Sequence, residues 1–386
     1  MYRRRRTSWK KAVALSFVIV SLLAFAYTKV PHPPRAHRWD RWDRPEDAGY
    51  SSEGIQRVRT YVGTLGTTGL LVVVDGKVLL SEGAVEALGY LAAGRFSIMA
   101  VVFGRPVADG TIDLSTTLED LQVEDRGGLL PKEKTATIQD LLTNRSGVYH
   151  PTAYGDGPVG TPPRGTDEPG SRFFYHPWGG FALRGIFEFC TDRSLFRAMG
   201  EDLAAPLGLQ DFRWWRQNRG HDVNRSVFTA FNLYVSTRDI ARFGQLMLQG
   251  GEWEGRQLVP RKWVDRMTTM VTPPTEVAPA EYQALGLGFG LQWWVWPDTE
   301  GPYVGAYTYI GAFGQYLTVL PALHMVVAHQ VYAGWSGPPE RTVSWSEYSR
   351  LLEKLVQARL APPDDTAVGS RRPDDTPSPR TRSAYR

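Results

Sequence analysis

The side chains that could form a metal or disulfide site are few and widely spaced in this sequence. The chain has one cysteine, Cys190, which excludes an intramolecular disulfide and a cysteine-rich zinc or iron–sulfur site. No pair of histidines has the H-x-H or H-E-x-x-H spacing that directs two imidazoles at one metal. The seven histidines are His32, His37, His150, His176, His221, His324 and His329. We predict no metal site. His150 and His176, in loop-like stretches, stay candidate pocket residues beside the commoner structural role.

Motifs that would carry nucleotide or nucleophile chemistry are also missing. The sequence has no G-x-G-x-x-G after a strand, no P-loop and no G-x-S-x-G elbow, so we predict no cofactor. The net charge is +4 and the pI about 9.0. Six basic residues in the first 11 positions account for this excess, and the rest of the chain is close to neutral. A basic surface clustered on the fold is therefore not expected, and nucleic-acid binding is excluded as a function.

The first 29 residues have the organisation of a membrane-targeting segment. A basic head is followed by an apolar run of about 16 residues, Ala12 to Tyr27, which is marginal for a membrane span. Ala24-Phe25-Ala26 could serve as a cleavage site, so an uncleaved anchor and a cleaved secretory signal both remain open. Because basic residues stay on the cytoplasmic side, we expect the rest of the chain to lie outside the cytoplasm, tethered to the membrane or secreted.

Composition divides the remainder into three parts. Residues 30–44 are rich in Pro and Arg and are predicted to be a linker without packing of its own. Residues 45–360 are predicted to be the folded domain. Residues 361–386 contain mostly Pro, Asp, Arg, Ser and Thr, which is typical of a disordered tail.

Hydrophobic periodicity within residues 45–360 predicts an α+β fold. Residues 68–80 form two β-branched runs around Asp75-Gly76, a strong hairpin signal. Helical spacing and strand-like runs give the other predicted elements. The predicted helices are 45–65, 95–108, 137–142, 181–199, 237–248 and 344–360, and the predicted strands are 289–296, 303–310, 315–320 and 324–331. One antiparallel sheet is thus built from both ends of the domain, with a large helical lobe inserted and a cleft between sheet and lobe.

Six segments, in order, resemble those of serine β-lactamase-related hydrolases between Gly69 and Val331. The segment 137–147, for instance, is similar to that family's "I-x-x-L-L-x-x-x-S-G" signature. The others are Asp109–Leu121, Phe174-Tyr175 with Phe181–Glu188, Ala205–Phe212, Ser236–Gly244 and Gly311–Gln315. The family includes penicillin-binding-protein-like, class C β-lactamase-like and esterase or amidase members. The resemblance implies a β-lactamase/transpeptidase-like fold and serine hydrolase ancestry.

The catalytic motif that the resemblance implies is altered in this chain. The family uses a nucleophilic serine, a lysine three residues later that takes its proton, and a tyrosine in a Y-x-N loop. Counting back from residue 109, the S-x-x-K slot reads Ala93-Gly94-Arg95-Phe96. No register repairs it, because no lysine lies between Lys77 and Lys132. The literal match at residues 8–11, in the basic head, is fortuitous. Ala93 therefore occupies the nucleophile position and Phe96 the lysine position.

The other two motifs are kept only in part. Tyr175 retains the motif tyrosine, but Pro177 stands in the asparagine slot and His176 between them is a candidate for polar lining. Tyr175 could equally be an aromatic that packs between lobes. The third motif is best matched by Gly311, Ala312, Phe313, Gly314 and Gln315, whose edge backbone could pair with a peptide-like ligand. A glycine-rich strand turn is the plain alternative, and Phe313 would narrow the pocket floor.

Two functions follow as hypotheses. The first is an extracytoplasmic, membrane-tethered pseudoenzyme that binds a cell-wall peptide, another small acyl compound or a protein partner. The second is an active amidase, esterase or carboxypeptidase with rearranged chemistry, in which Tyr175, His176 or Ser97 acts without the lysine. Neither the ligand nor the oligomeric state follows from the sequence.

Overall fold

The protein is described by a computed structural model for residues 38–220, 222–332 and 339–360. The predicted basic head and apolar segment, most of the predicted linker and the predicted disordered tail lie outside these residues. Among the residues that are described, no helix is both long enough and apolar enough to cross a membrane.

A seven-stranded antiparallel sheet forms the centre of the molecule. Its strands are β1 (Gly69–Val74), β2 (Lys77–Gly83), β3 (Gly288–Phe289), β4 (Trp294–Val295), β5 (Tyr307–Gly311), β6 (Gln315–Leu320) and β7 (Met325–Gln330). Their order across the sheet is β2-β1-β7-β6-β5-β4-β3. The first strand pairs with the last, Gly69 opposite Gln330. The prediction that both ends of the domain build one sheet is confirmed.

The hairpin of β1 and β2 shows why this part of the sequence could be predicted. Asp75 and Gly76 both have positive φ, at 48° and 77°, as the two central residues of a type I′ turn require. β1 is buried along its whole length, which its unbroken apolar sequence indicates. Successive side chains of β1 face opposite sides: Leu70 and Val72 join one hydrophobic core, and Leu71 and Val73 join the other.

Helices cover both faces of the sheet. The main helices are α1 (Ser52–Val62), α2 (Gly94–Val102), α3 (Pro177–Thr191), α4 (Thr237–Leu248), α5 (Arg261–Thr268) and α6 (Trp345–Gln357). Short helices are Gly104–Ala108, Pro131–Lys134, Ile138–Leu142, Leu195–Ala198 and Ala280–Gln283, with a π-helical segment at Met199–Ala204. Single 3₁₀ turns are Pro45–Ala48, Trp214–Arg216, Pro274–Glu276, Gly301–Tyr303 and Pro321–Leu323. Three small strand pairs are Leu88–Tyr90 with Tyr234–Ser236, Asn218–Gly220 with Ala230–Asn232, and Glu252–Trp253 with Arg256–Gln257.

The two faces of the sheet carry different cores. On one face, α1 and α6 pack together over the sheet, where Val58 and Tyr348 are fully buried. On the other face, α4 crosses β1, β6 and β7, and its Ile240 and Phe243 join the core that continues into the helical lobe. α2 lies in this second core and is buried along its whole length.

Several predicted element boundaries were wrong, for local reasons. The predicted helix 95–108 is two helices, α2 and Gly104–Ala108. The predicted strand 289–296 is two strands, β3 and β4, because the chain turns between them, with Gln292 at a φ of 60°. α3 begins earlier than predicted, at Pro177.

The predicted linker differs from the structure where it is described. Trp42 donates its indole N–H to the carbonyl oxygen of Val74 at 3.1 Å, and Trp39 donates to that of Arg238 at 3.1 Å. The backbone at Asp40 also accepts from Val78 N–H at 2.8 Å. Two tryptophans thus provide the apolar surface that a linker would lack, and residues 38–44 pack on the sheet edge.

Candidate functional site

The nucleophile slot lies where α2 meets the end of a sheet strand. Ala93 is the N-cap residue of α2 and is half-buried. A Cβ on Gly311, at the end of β5, would overlap the carbonyl oxygen of Leu91 and lie 3.3 Å from Gly94 N. Only glycine allows this approach. The structure therefore brings together two segments that the sequence indicated separately, 93–96 and 311–315.

The lysine slot is filled by an aromatic side chain. Phe96 is 4% exposed, and its ring centroid lies 5.4 Å from that of Phe181 and 5.8 Å from that of Phe231. A Cβ on Gly180, in α3, would lie 2.5 Å from Phe96 Cδ1. The ring thus occupies a space that the neighbouring helix leaves for it, in surroundings that disfavour an ammonium group.

Tyr175 lies near the nucleophile slot, in an aromatic cluster that Ala93 also contacts. Its ring centroid is 4.5 Å from that of Tyr282 and 5.6 Å from that of Trp294. Burial raises the pKa of the Tyr175 hydroxyl well above its ordinary value. Such a hydroxyl stays protonated and cannot act as a base at neutral pH.

His176 stabilises the start of α3. It is the N-cap residue, and its Nδ1 accepts a hydrogen bond from Trp178 N–H at 3.4 Å. The side chain is 5% exposed, and burial lowers its pKa to about 4. His176 is therefore neutral at physiological pH and has a helix-capping role. Pro177 at the first position of α3 suits the helix, which accounts for proline in the asparagine slot.

The segment 311–315 forms the tight turn between β5 and β6. Phe313 adopts a φ of 73°, is half-buried and accepts a backbone hydrogen bond from Val343 at 3.2 Å. Gln315 is fully buried and donates to the Val331 carbonyl at 2.5 Å, and Ala312 is exposed. These contacts fit a glycine-rich strand turn. A binding role for this turn stays a prediction, as does the narrowing of the pocket floor by Phe313.

Arg95, the third residue of the altered slot, is the unexpected feature of α2. The residue is 5% exposed, and its Nη1 donates to the Tyr90 hydroxyl. Five aromatic rings lie 5.0 to 5.9 Å from its guanidinium carbon. These rings belong to Tyr90, Phe96, Tyr154, Phe181 and Phe231. The available signal in the sequence was a single charged residue in a helix that, apart from Ser97, is apolar.

A buried cluster of serine, histidine and aspartate lies elsewhere in the helical lobe. Asp125 Oδ2 accepts hydrogen bonds from Ser226 Oγ at 2.6 Å and Trp178 Nε1 at 2.7 Å. It also lies 3.3 Å from His150 Nδ1. Because the serine donates to the carboxylate rather than to the imidazole, the arrangement is not that of a catalytic triad.

The same cluster joins distant loops. Asp125 Oδ1 accepts from the backbone N–H groups of Arg126 and Val227, each at 2.7 Å. The two ring nitrogens of His150 lie 2.8 Å from the carbonyl oxygens of Pro151 and Arg126. His150 is 1% exposed. Sequence spacing could not reveal this cluster, because its members are far apart in the chain.

Comparison with known proteins identifies the family. Residues 97–341 match the family described as "Beta-lactamase". The chain belongs to the Beta-lactamase family. The match covers well over half of the sequence and begins at Ser97, directly after the altered slot. The predicted α+β, β-lactamase/transpeptidase-like fold and the predicted serine hydrolase relationship are confirmed.

Solved structures share this fold at low sequence identity. A Bacillus anthracis protein provisionally assigned as a 6-aminohexanoate-dimer hydrolase is 20% identical, with a TM-score of 0.61 over 84% of this chain and 89% of that one. A penicillin-binding protein homologue from Caulobacter crescentus is 15% identical, with a TM-score of 0.57 over 80% and 99%. The octameric penicillin-binding protein homologue from Pyrococcus abyssi is 18% identical, with a TM-score of 0.57 over 80% and 77%. Comparison with curated protein sequences gave no match.

Proposed function

We propose that this chain is a non-catalytic member of the Beta-lactamase family that binds a ligand. The observation that carries the proposal is the fit between Phe96 and Gly180. A Cβ on Gly180 would lie 2.5 Å from the Phe96 ring, so the glycine leaves room for the aromatic side chain. The lysine slot is therefore rebuilt as part of the apolar core, and the neighbouring Ala93 has no nucleophilic atom.

The charge of Arg95 would act on a lysine placed at this position. The guanidinium carbon of Arg95 lies 5.0 Å from the Phe96 ring centroid. A lysine side chain replacing that ring would meet a like charge in apolar surroundings, and both effects favour its neutral amine, the form that accepts the serine proton in this family. Electrostatics therefore does not argue against a lysine here, and the non-catalytic proposal depends on the missing side chains and on the packing of Phe96 against Gly180.

The residues considered for rearranged chemistry have other contacts. Ser97 is 3% exposed and donates its hydroxyl to the carbonyl oxygen of Gln292 at 2.5 Å. His176 caps α3, and the Tyr175 hydroxyl is held protonated by burial. None of these contacts pairs a hydroxyl with a general base, as nucleophilic catalysis requires. They support the non-catalytic reading.

The ligand class and the location are part of the same proposal. We propose a peptide-like or acyl small molecule as the ligand, because the segment 311–315, which resembles the family's third motif, lies beside the nucleophile slot. The basic head and the apolar segment Ala12 to Tyr27 support a domain outside the cytoplasm. Protease digestion of intact cells tests the location: the folded domain should be degraded from outside, and full protection would contradict it.

Acylation of the full-length protein tests the lack of catalysis. The purified chain is incubated with a β-lactam and, separately, with a fluorophosphonate, and its intact mass is measured. We expect no adduct. A stable adduct mapped to a residue of the cleft would overturn the proposal. The Ser97→Ala variant is the control that identifies or excludes the hydroxyl nearest to the slot.

The double variant Ala93→Ser with Phe96→Lys sharpens the same test. Because the side chain of residue 96 packs into the apolar space beside Gly180 and Phe181, we expect this variant to remain unacylated. Acylation would mean that the scaffold still supports the family's chemistry and that the two substitutions alone removed it. A circular dichroism spectrum and a melting curve show whether the variant is folded.

A further inference from the structure

Arg95 carries a buried charge without a carboxylate partner. A guanidinium stays protonated at any physiological pH, and this one is 5% exposed. Among the residues that the structure describes, no Asp or Glu forms an ion pair with Arg95. Arg184 is equally buried but lies 2.6 Å from the carboxylate of Glu188. The difference marks Arg95 as a charge that awaits a counter-ion.

The aromatic surroundings compensate this charge only in part. The faces of the rings attract a cation, but they do not accept the N–H donors that radiate from the edge of the guanidinium. Nη1 donates to Tyr90, whereas Nε is buried without a hydrogen-bond partner. Donors of this geometry match the two oxygens of a carboxylate.

One exposed side chain packs against this charge. The ring of Tyr154 is 5.9 Å from the guanidinium carbon, and the residue is 56% exposed. Its hydroxyl donates to Asn232 Oδ1 at 3.0 Å. Tyr90 and Tyr234, half-buried and with ring centroids 5.7 Å apart, lie beside it. Rotation of Tyr154 away from Asn232 would open the guanidinium to a small molecule.

The position of Arg95 links this charge to the altered slot. Arg95 follows Ala93 by two residues at the start of α2, so the two side chains leave the helix on different faces. Its charge also acts on Tyr175, where it opposes the rise in the hydroxyl pKa that burial causes. A ligand group held by Arg95 would therefore occupy a separate subsite next to the slot, on another face of α2.

We propose that Arg95 is an anion-binding residue that holds a carboxylate of the ligand beneath Tyr154. This inference rests on the proposed binding function, which it deepens by assigning the ligand a negative charge. The aromatic walls favour a carboxylate next to an apolar or aromatic group over a free hydrated ion. The subsite requires no nucleophile and no proton transfer.

Calorimetric titration of the full-length protein with benzoate tests the inference. Benzyl alcohol has the same ring without the charge, and both are compared at constant ionic strength. We expect saturable binding of benzoate and none of benzyl alcohol at equal concentration. Equal heats for the two compounds, or no heat for either, would overturn the inference. Inorganic phosphate is a third probe, and binding of phosphate tighter than that of benzoate would overturn the assignment to a carboxylate.

Substitution of Arg95 shows whether the charge is responsible. Arg95→Met should weaken benzoate binding at least about tenfold. Arg105→Met, an exposed arginine in the adjoining short helix, is the matched control and should bind as the wild-type chain does. Unchanged binding by Arg95→Met would contradict the inference. The side-chain ¹⁵N signals of Arg95 give a readout in the unaltered protein: benzoate should shift them, and unshifted signals at saturation would place the anion elsewhere.

The result separates this inference from the proposed function. A chain that binds benzoate through Arg95 and is also acylated would refute the lack of catalysis and leave the subsite in place. A chain that is not acylated and does not bind benzoate would refute the subsite and leave the lack of catalysis in place.

Discussion

Two buried charges in this molecule, Asp125 and Arg95, are treated in opposite ways by their surroundings. Asp125 accepts hydrogen bonds from Trp178, Ser226 and two backbone N–H groups. Arg95 is packed against aromatic rings and has no carboxylate partner among the described residues. A buried charge whose hydrogen bonds are all supplied by the protein stabilises the fold. One without a counter-ion has no such structural reason, which is why function is assigned to Arg95.

Removal of the Asp125 carboxylate should give the largest effect on stability. Asp125→Ala leaves the Trp178 indole N–H, the Ser226 hydroxyl and the backbone donors without acceptors, and it should lower the free energy of unfolding by about 3–5 kcal/mol. Urea denaturation measures this. Ser226→Ala, which removes one of these hydrogen bonds, should cost only about 1 kcal/mol. Similar losses for the two variants would mean that Asp125 is not the centre of the cluster.

A second test is the pH dependence of stability. It concerns two buried histidines, His176 and His329, which are neutral where Asp125 and Arg95 are charged. Burial lowers the pKa of His176 and of His329 to about 4, below the unfolded value of about 6.5. Between these values the unfolded chain binds more protons, so stability is complete above pH 6.5 and falls as the pH decreases toward 4. At about 1.4 kcal/mol per pH unit, each histidine should lower the free energy of unfolding by roughly 3 kcal/mol when the pH falls to 4.

The His176→Asn variant isolates one of these contributions. Asparagine is a good N-cap residue and does not titrate, so α3 keeps its cap. The slope of unfolding free energy against pH should decrease by about one proton between pH 4 and pH 6.5. An unchanged slope would show that His176 is not buried in its neutral form.

The fit between Phe96 and Gly180 predicts a smaller, local effect. Gly180→Ala would place a methyl group 2.5 Å from the Phe96 ring and should cost about 1–3 kcal/mol through overpacking. Gly179→Ala is the control on the same helix, because its Cβ would lie 3.3 Å from the flexible end of Leu141. In a double-mutant cycle, Phe96→Leu should recover much of the loss. Additive losses would mean that the two positions are not adapted to each other.

Sequence patterns predicted the sheet and the altered slot because both depend on local signals. The hairpin at Asp75-Gly76 and the run of residues 93–96 can be recognised within a few neighbouring positions. The Asp125 cluster could not be predicted, because His150 and Ser226 are brought to it by the fold from positions 25 and 101 residues away. Arg95 was visible in the sequence, but its lack of a counter-ion is a property of the tertiary structure. The packing of Trp39 and Trp42 was missed since proline and arginine dominate that segment.

The smallest effect on stability should come from Arg95, and this result would best separate the two buried charges. Arg95→Met removes a charge that none of the described carboxylates neutralises and leaves an apolar side chain among aromatic rings. We expect the free energy of unfolding to stay the same or to increase by up to about 2 kcal/mol. Arg105→Met loses a hydrogen bond from Arg105 Nε to the Leu258 carbonyl oxygen and should cost about 1 kcal/mol. A loss as large as that of Asp125→Ala would show that Arg95 stabilises the fold as Asp125 does. If Arg95→Met keeps its stability but loses benzoate binding, the charge serves the ligand. A guanidinium without a counter-ion destabilises the core, and only ligand binding would offset this cost.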